Sequence, residues 1–64
     1  MNIAEIISKQ LGLRTHQVES TIHLLAAGAT IPFISRYRKE ATGGLNEVQV
    51  AQILEQNARL EELV

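Results

Sequence analysis

The sequence contains no cysteine and only one residue each of proline, phenylalanine, tyrosine and methionine. Without cysteine, the chain can form neither a disulfide nor a thiolate metal site. No stretch approaches the ~20 consecutive apolar residues that a membrane span requires. Residues 1–5 lack the basic region and the apolar run that begin a signal peptide. These absences predict a soluble, cytoplasmic protein that does not associate with a membrane.

The chain is also short. Its 64 residues form one domain at most. A domain of this size buries only about 60% of the surface that its unfolded chain exposes. Its core rarely contributes more than about 3–5 kcal/mol to the free energy of unfolding. We therefore expect further stability from a partner chain, from self-association, or from other parts of a longer protein.

Positive charge is concentrated in one stretch of the chain. The net charge of −1 argues against nucleic-acid binding by the chain as a whole. However, residues 30–44 carry Arg36, Arg38 and Lys39 against Glu40 alone. Residues 45–64 carry four glutamates against Arg59. The sequence therefore predicts that any basic surface lies around residues 36–39.

Apolar residues recur at helical spacing, without the alternation of a β-strand, and predict an all-α, compact small domain of about four helices. Asn2 is the predicted N-cap of the first helix, and Gly12 is its predicted end. Thr15 is the predicted cap of the second helix, which Gly28 ends. Its predicted apolar stripe consists of Val18, Ile22, Leu25 and Ala26.

A short third helix is predicted to begin at Thr30, with Pro32 in its first turn, where the missing N–H of proline is tolerated. Phe33, Tyr37 and Ala41 lie at i, i+4 and i+8, and we expect them to form its buried side, with Ile34 at the edge. The opposite, solvated side would then carry Ser35, Arg36, Arg38 and Lys39.

The turn that follows, Thr42-Gly43-Gly44, should end the third helix. We expect a positive φ at Gly43 or Gly44, or at both, because a new helix begins within four residues. Asn46 is the predicted N-cap of that last helix, with Gln49 as its reciprocal partner. Leu45 and Val50 are the expected hydrophobic staple.

The last helix, residues 47–64, is predicted to have an apolar face too wide for the other short helices to cover. Its apolar positions are Val50, Ala51, Ile53, Leu54, Ala58, Leu60 and Val64. We expect this face to bind the central helices of a longer parent chain, of which these residues would be a fragment. In isolation it would drive formation of a two-fold homodimer.

The sequence gives little support for a catalytic site or a metal site. His16 and His23 lie two turns apart, about 10 Å, which is too far for two ligands of one zinc ion in the usual helical arrangement. No nucleophile and base can be paired, and Gly43-Gly44 lacks the strand and the Lys-Ser/Thr of a phosphate loop. We therefore expect no enzyme activity and no cofactor, with both histidines at the surface.

Arg36, Arg38 and Lys39, with Tyr37 between them, allow two interpretations. The cations could bind phosphates while an exposed tyrosine stacks on a base. Alternatively, Tyr37 belongs to the core, and Arg36 or Arg38 pairs with carboxylates of the last helix. Both interpretations are compatible with the sequence.

Residues 31–45, Ile-Pro-Phe-Ile-Ser-Arg-Tyr-Arg-Lys-Glu-Ala-Thr-Gly-Gly-Leu, form what we call the signature segment. They resemble a segment near the N-terminus of the Tex-type bacterial transcription accessory proteins. The resemblance is close from about residue 24 to residue 50. The family often has alanine at Ser35 and aspartate at Asn46. Pro32, Phe33, Tyr37, Gly43 and Gly44 are the signature positions with an expected structural role.

The resemblance implies a helix-turn-helix-like N-terminal module, residues 1–64, of a much longer protein. Such proteins carry an RNase-H-type domain, helix-hairpin-helix elements and an S1 domain, and they act in transcription and RNA binding. Two functions follow as hypotheses. In the first hypothesis the module braces the parent protein and binds proteins, such as those of the transcription machinery. In the second it contacts nucleic acid directly through Arg36, Arg38 and Lys39.

Overall fold

The helices follow the predicted order, with one additional division. The structure is a computed structural model that describes residues 2–63. It consists of α1 (Ile3–Leu11), α2 (Thr15–Ala26), α3 (Ile31–Tyr37), α4 (Lys39–Thr42) and α5 (Glu47–Leu63). The all-α prediction is confirmed, but the predicted third helix is two helices, α3 and α4, separated at Arg38. None of the helices in residues 2–63 is long and apolar enough to cross a membrane.

Three predicted N-caps are present, because each depends only on residues within one turn. Asn2 Oδ1 accepts a hydrogen bond of 3.2 Å from the Glu5 N–H. Thr30 Oγ1 accepts one of 3.3 Å from the Phe33 N–H, with Pro32 in the first turn of α3 as expected. At the start of α5 the reciprocal pair is complete. Asn46 Oδ1 accepts from the Gln49 N–H at 2.8 Å, and Gln49 Oε1 accepts from the Asn46 N–H at 2.9 Å.

The predicted cap of α2 is wrong by one residue. Arg14 occupies the N-cap position, and its backbone N–H donates to Gln17 Oε1 at 3.0 Å. Thr15 is the first helical residue. Its hydroxyl lies 3.2 Å from the hydroxyl of Ser8 on α1, which it reaches because α1 and α2 pack against each other. Thr15 therefore ties two helices together instead of capping one.

The core lies where α1, α2, α3 and α5 meet. Its buried apolar residues are Ala4, Ile7, Val18, Ile34, Leu45, Val50 and Ile53. Both members of the predicted staple, Leu45 and Val50, belong to this cluster. On α2 the predicted stripe is only partly right: Val18 is fully buried, but Ala26 is exposed. Thr21 is fully buried in addition, because its hydroxyl donates to the Gln17 carbonyl at 2.8 Å.

The apolar face of α5 is largely covered by the chain itself. Val50 and Ile53 are fully buried, and Leu60 packs against the core. Leu54 remains 41% exposed, and Ala58 is also exposed. The expectation that the other helices cannot cover this face is thus wrong at its centre and holds only along its edge. Val64 lies outside the described residues.

Candidate functional site

The signature segment presents its aromatic residues to solvent, contrary to the prediction. Phe33 is 45% exposed and Tyr37 is 67% exposed. Their ring centroids lie 5.6 Å apart with the ring planes tilted by 47°, so the two side chains form one exposed aromatic pair. The expectation that both rings are mostly buried is wrong. The sequence predicts that both rings lie on the side of α3 that faces the core, whereas in the structure they lie on the side that faces solvent.

The buried side of α3 is instead formed by Ile34 and Ser35. Ile34 is fully buried in the core, where α3 packs against α5. Ser35 is only 7% exposed, and its hydroxyl donates to the Pro32 carbonyl at 3.2 Å. A hydroxyl that is satisfied by its own helix costs little to bury. For this reason a small polar residue, rather than a ring, faces the core.

A backbone break at Arg38 separates α3 from α4. Arg38 has φ −124° and ψ 37°, outside the helical region, although its N–H still donates to the Ile34 carbonyl at 3.1 Å. The helix restarts at once, and Thr42 donates its N–H to the Arg38 carbonyl at 3.2 Å. The break turns Thr42 into the core, where it is fully buried and accepts from the Leu45 N–H at 3.3 Å.

The turn after α4 is held by a residue that the sequence analysis did not single out. Gly43 and Gly44 have φ values of 74° and 88°, which confirms the predicted left-handed conformation at both. Gln17 on α2 donates its side-chain amide to the Thr42 carbonyl at 3.0 Å. One side chain thereby caps α2 and fixes the end of the signature segment. No pattern in the sequence links positions that are 25 residues apart.

The three cations of the segment are exposed, and they differ in their partners. Arg38 Nε lies 3.4 Å from the carboxylate of Glu40. Within residues 2–63, Arg36 and Lys39 have no carboxylate partner. The alternative in which Arg36 or Arg38 pairs with carboxylates of the last helix is not what the structure shows. The positive charge is directed outward.

We call five exposed residues of this segment together the signature surface: Phe33, Arg36, Tyr37, Arg38 and Lys39. Aromatic rings can stack on planar or apolar groups of a partner. Guanidinium and ammonium groups can pair with its carboxylates or phosphates. His16 and His23 are exposed on α2, as predicted. In the described part of the chain no three metal-ligating side chains come together.

Comparisons with known proteins identify one family that covers the whole chain. The N-terminal domain of Tex-like proteins matches the chain over residues 1–64. The transcriptional accessory protein Tex of Neisseria gonorrhoeae is 52% identical over 63 residues, which are 98% of this chain and 8% of that protein. Protein YhgF of Escherichia coli is 40% identical over 62 residues, 97% of this chain and 8% of that protein.

A third relative, protein tex of Bordetella pertussis, is 56% identical over 41 residues, 64% of this chain and 5% of that protein. No solved structure matches the chain. The chain therefore belongs to the family of Tex-like N-terminal domains, which occurs in a transcriptional accessory protein. It spans 8% of the length of the Neisseria gonorrhoeae relative.

Proposed function

We propose that this chain is the interaction module of a Tex-type transcription accessory protein and that its signature surface docks onto another part of that protein. It acts by binding and not by catalysis. One observation carries the proposal: the signature aromatic residues, Phe33 and Tyr37, form an exposed pair in the same short segment as the exposed cations Arg36 and Lys39. Tyrosine, phenylalanine and arginine are enriched at protein interfaces and supply much of their binding energy.

The proposal is supported by the fact that different residues of α3 face the core and the solvent. Ile34 and Ser35 stabilise the domain, so Phe33 and Tyr37 are not required for its core. An exposed aromatic pair contributes little to folding, whereas burial against a partner removes its apolar surface from water. The low net charge of the chain favours a protein partner over a nucleic acid.

Hydroxyl-radical footprinting tests the docking. A full-length chimera in which this chain replaces the matching 63 residues of Neisseria gonorrhoeae Tex is compared with the isolated chain. We expect the oxidation of Phe33 and Tyr37 to fall several-fold in the chimera, while exposed His16 is oxidised equally in both. Equal oxidation of the two rings in both proteins would show that the signature surface is not docked.

Direct nucleic-acid binding is the second candidate, favoured by the 67% exposure of Tyr37 in a segment whose Arg36 and Lys39 have no carboxylate partner among residues 2–63. In this case a single-stranded base stacks on Tyr37 and phosphates bind Arg36 and Lys39. A titration with labelled oligouridine at several salt concentrations tests it. Phosphate contacts give a linear fall of log affinity with log salt, and Tyr37→Ser weakens binding at every concentration.

A further inference from the structure

A depression of about 520 Å³ lies where α1, α2 and α5 meet. Residues at i, i+3, i+4 and i+7 share one face of a helix, and four residues of α2 with this spacing line the depression: Glu19, Ile22, His23 and Ala26. Two residues of α5 and the start of α1 complete the lining. None of the five residues of the signature surface belongs to this lining, which we call the helix-junction depression.

The floor of the helix-junction depression is apolar. Ile3 and Ile22 are half-buried and pack against the core, so part of each side chain remains in contact with water. Ala26 is exposed beside them. Covering this floor with the aliphatic part of a partner side chain would remove apolar surface from water, which favours binding.

The charge of the depression has one sign. Its lining contains two carboxylates, Glu19 and Glu61, and no lysine or arginine. Within residues 2–63 neither carboxylate has a cation within 4 Å, whereas the other glutamates at positions 5, 40 and 55 each have one. Glu61 Oε1 accepts a hydrogen bond of 3.2 Å from the side-chain amide of Asn57. That neutral donor holds the carboxylate in place without cancelling its charge.

We propose that the helix-junction depression binds an arginine side chain from a segment of the longer Tex-type protein. The inference rests on the proposed function in one respect, that this chain binds another part of such a protein, and it adds a contact on a different face. The methylene groups of the arginine pack on Ile3 and Ile22, as long cationic side chains do on apolar surfaces. Its guanidinium pairs with Glu19 and Glu61.

Arginine fits this arrangement better than the alternatives. Its guanidinium carries five N–H donors in one plane and can bind two carboxylates at once, whereas the ammonium of lysine is a compact point charge. A nucleic acid or an acidic peptide would bring like charges to Glu19 and Glu61. Although His23 lines the same depression, the described residues contain no group of three side chains arranged to hold a metal ion.

Peptide binding tests the inference. The probes are overlapping short peptides that cover Neisseria gonorrhoeae Tex outside the 63 residues that match this chain, and fluorescence anisotropy measures their binding. We expect the bound peptides to contain arginine next to leucine, isoleucine or valine. Replacing that arginine by alanine should abolish binding, and replacing it by lysine should weaken binding. Affinity should fall as salt is added, because exposed charges are screened.

Removal of the carboxylates should weaken the same peptides. Glu19→Gln and Glu61→Gln should each reduce affinity by about two- to fivefold, the range for an exposed ion pair. The double variant should reduce it by about tenfold if the two effects add. Glu55→Gln is the matched control, since it removes a carboxylate of α5 that does not line the depression and should leave affinity unchanged.

A second pair of variants tests the position of the site. Ala26→Lys places an ammonium group in the depression, at an exposed position that the core does not need, and should abolish binding of the arginine peptides. Ala58→Lys adds the same charge at an exposed position of α5 outside the lining and should retain most of the binding. Circular dichroism confirms that each variant is folded.

The remaining outcomes separate this inference from the docking of the signature surface. Arginine peptides that bind the Glu19/Glu61 double variant and Ala26→Lys as tightly as the parent would overturn the helix-junction site, as would the absence of any bound peptide. Tyr37→Ser should leave peptide binding intact. Loss of binding in Tyr37→Ser alone would assign the peptides to the signature surface and overturn this inference. Footprinting of Phe33 and Tyr37 in the chimera decides the docking proposal independently.

Discussion

The side-chain amide of Gln17 occupies the space that a side chain at Gly43 would need. A Cβ added to Gly43 would lie 2.5 Å from Gln17 Nε2, closer than any ordinary contact. The same nitrogen donates to the Thr42 carbonyl at 3.0 Å. Gly43 is therefore restricted twice, by its φ of 74° and by the side chain that holds the turn in place.

Substitution of Gln17 and Gly43 should show that the effects of these two residues on stability are coupled. Gly43→Ala is expected to destabilise the domain by more than the ~1–2 kcal/mol that a left-handed conformation costs an alanine. Gln17→Ala should cost about 1–3 kcal/mol, since it removes the hydrogen bonds of this side chain with the Arg14 N–H and with the Thr42 and Gly43 carbonyls. The double variant should be less destabilised than the sum of the two, because the clash is absent. Urea unfolding measures all three.

Gly12→Ala is the matched control for this set. Gly12 has a similar φ of 70°, but nothing lies within 4 Å of an added Cβ. It should show the conformational cost alone. If Gly43→Ala and Gly12→Ala destabilise the domain equally, Gln17 has moved aside without cost, and the coupling does not exist.

Truncation of two neighbouring residues on α3 should destabilise the domain to very different extents. Ile34 is fully buried, so Ile34→Ala should cost about 2–5 kcal/mol, comparable to the whole stability of a domain this small. Phe33 is 45% exposed, and Phe33→Ala should cost only about 1 kcal/mol. Thermal unfolding followed by circular dichroism measures both. A Phe33→Ala variant that is unfolded would restore the core assignment of the ring.

We expect the N-cap hydrogen bond of Asn46 to contribute more to the stability of the domain than the side-chain hydrogen bond of Asn57. Asn46→Ala removes the acceptor of the Gln49 N–H and should cost about 0.5–2 kcal/mol. Asn57→Ala removes only an exposed hydrogen bond to Glu61 within the helix and should be nearly neutral. Chemical denaturation compares the two. Equal effects would mean that the start of α5 does not depend on its cap.

Self-association through α5 stays a prediction. Only the exposed edge of the apolar face of α5, and not the whole face, is available for it. Leu54 and Ala58 lie one turn apart and are exposed, so we expect a weak two-fold dimer at high protein concentration. Leu54→Lys should abolish it, whereas Val48→Lys, on a different side of the helix, should not. Sedimentation equilibrium measures both. A parent chain that is monomeric at every concentration would contradict the prediction.

The ends of helices could be predicted because their signals are local. Asn2, Thr30 and Asn46 each accept from the backbone three residues further along, and this spacing is visible in the sequence. The glycines that end helices adopt the expected positive φ. The predicted cap at Thr15 is wrong because the Thr15 hydroxyl instead shares a hydrogen bond with the Ser8 hydroxyl on another helix, which the local sequence does not show.

The orientation of α3 could not be predicted, for two physical reasons. A helix of seven residues has too few positions for periodicity to select one face, and the break at Arg38 removes Ala41 from the series that begins with Phe33. In addition, Ser35 and Thr42 satisfy their hydroxyls locally and can therefore be buried. The exposed aromatic pair, and hence the candidate site, follows from tertiary packing alone.

The shortness of α3 and α4 limits what can be learned from a peptide. Isolated helices need about 12–15 residues to be stable in water, and these two have seven and four. Their shape depends on Ile34 in the core and on Gln17 from α2. A synthetic copy of residues 31–45 would carry the family's residues without their arrangement. An antibody raised against such a peptide would recognise the denatured protein and not the native domain.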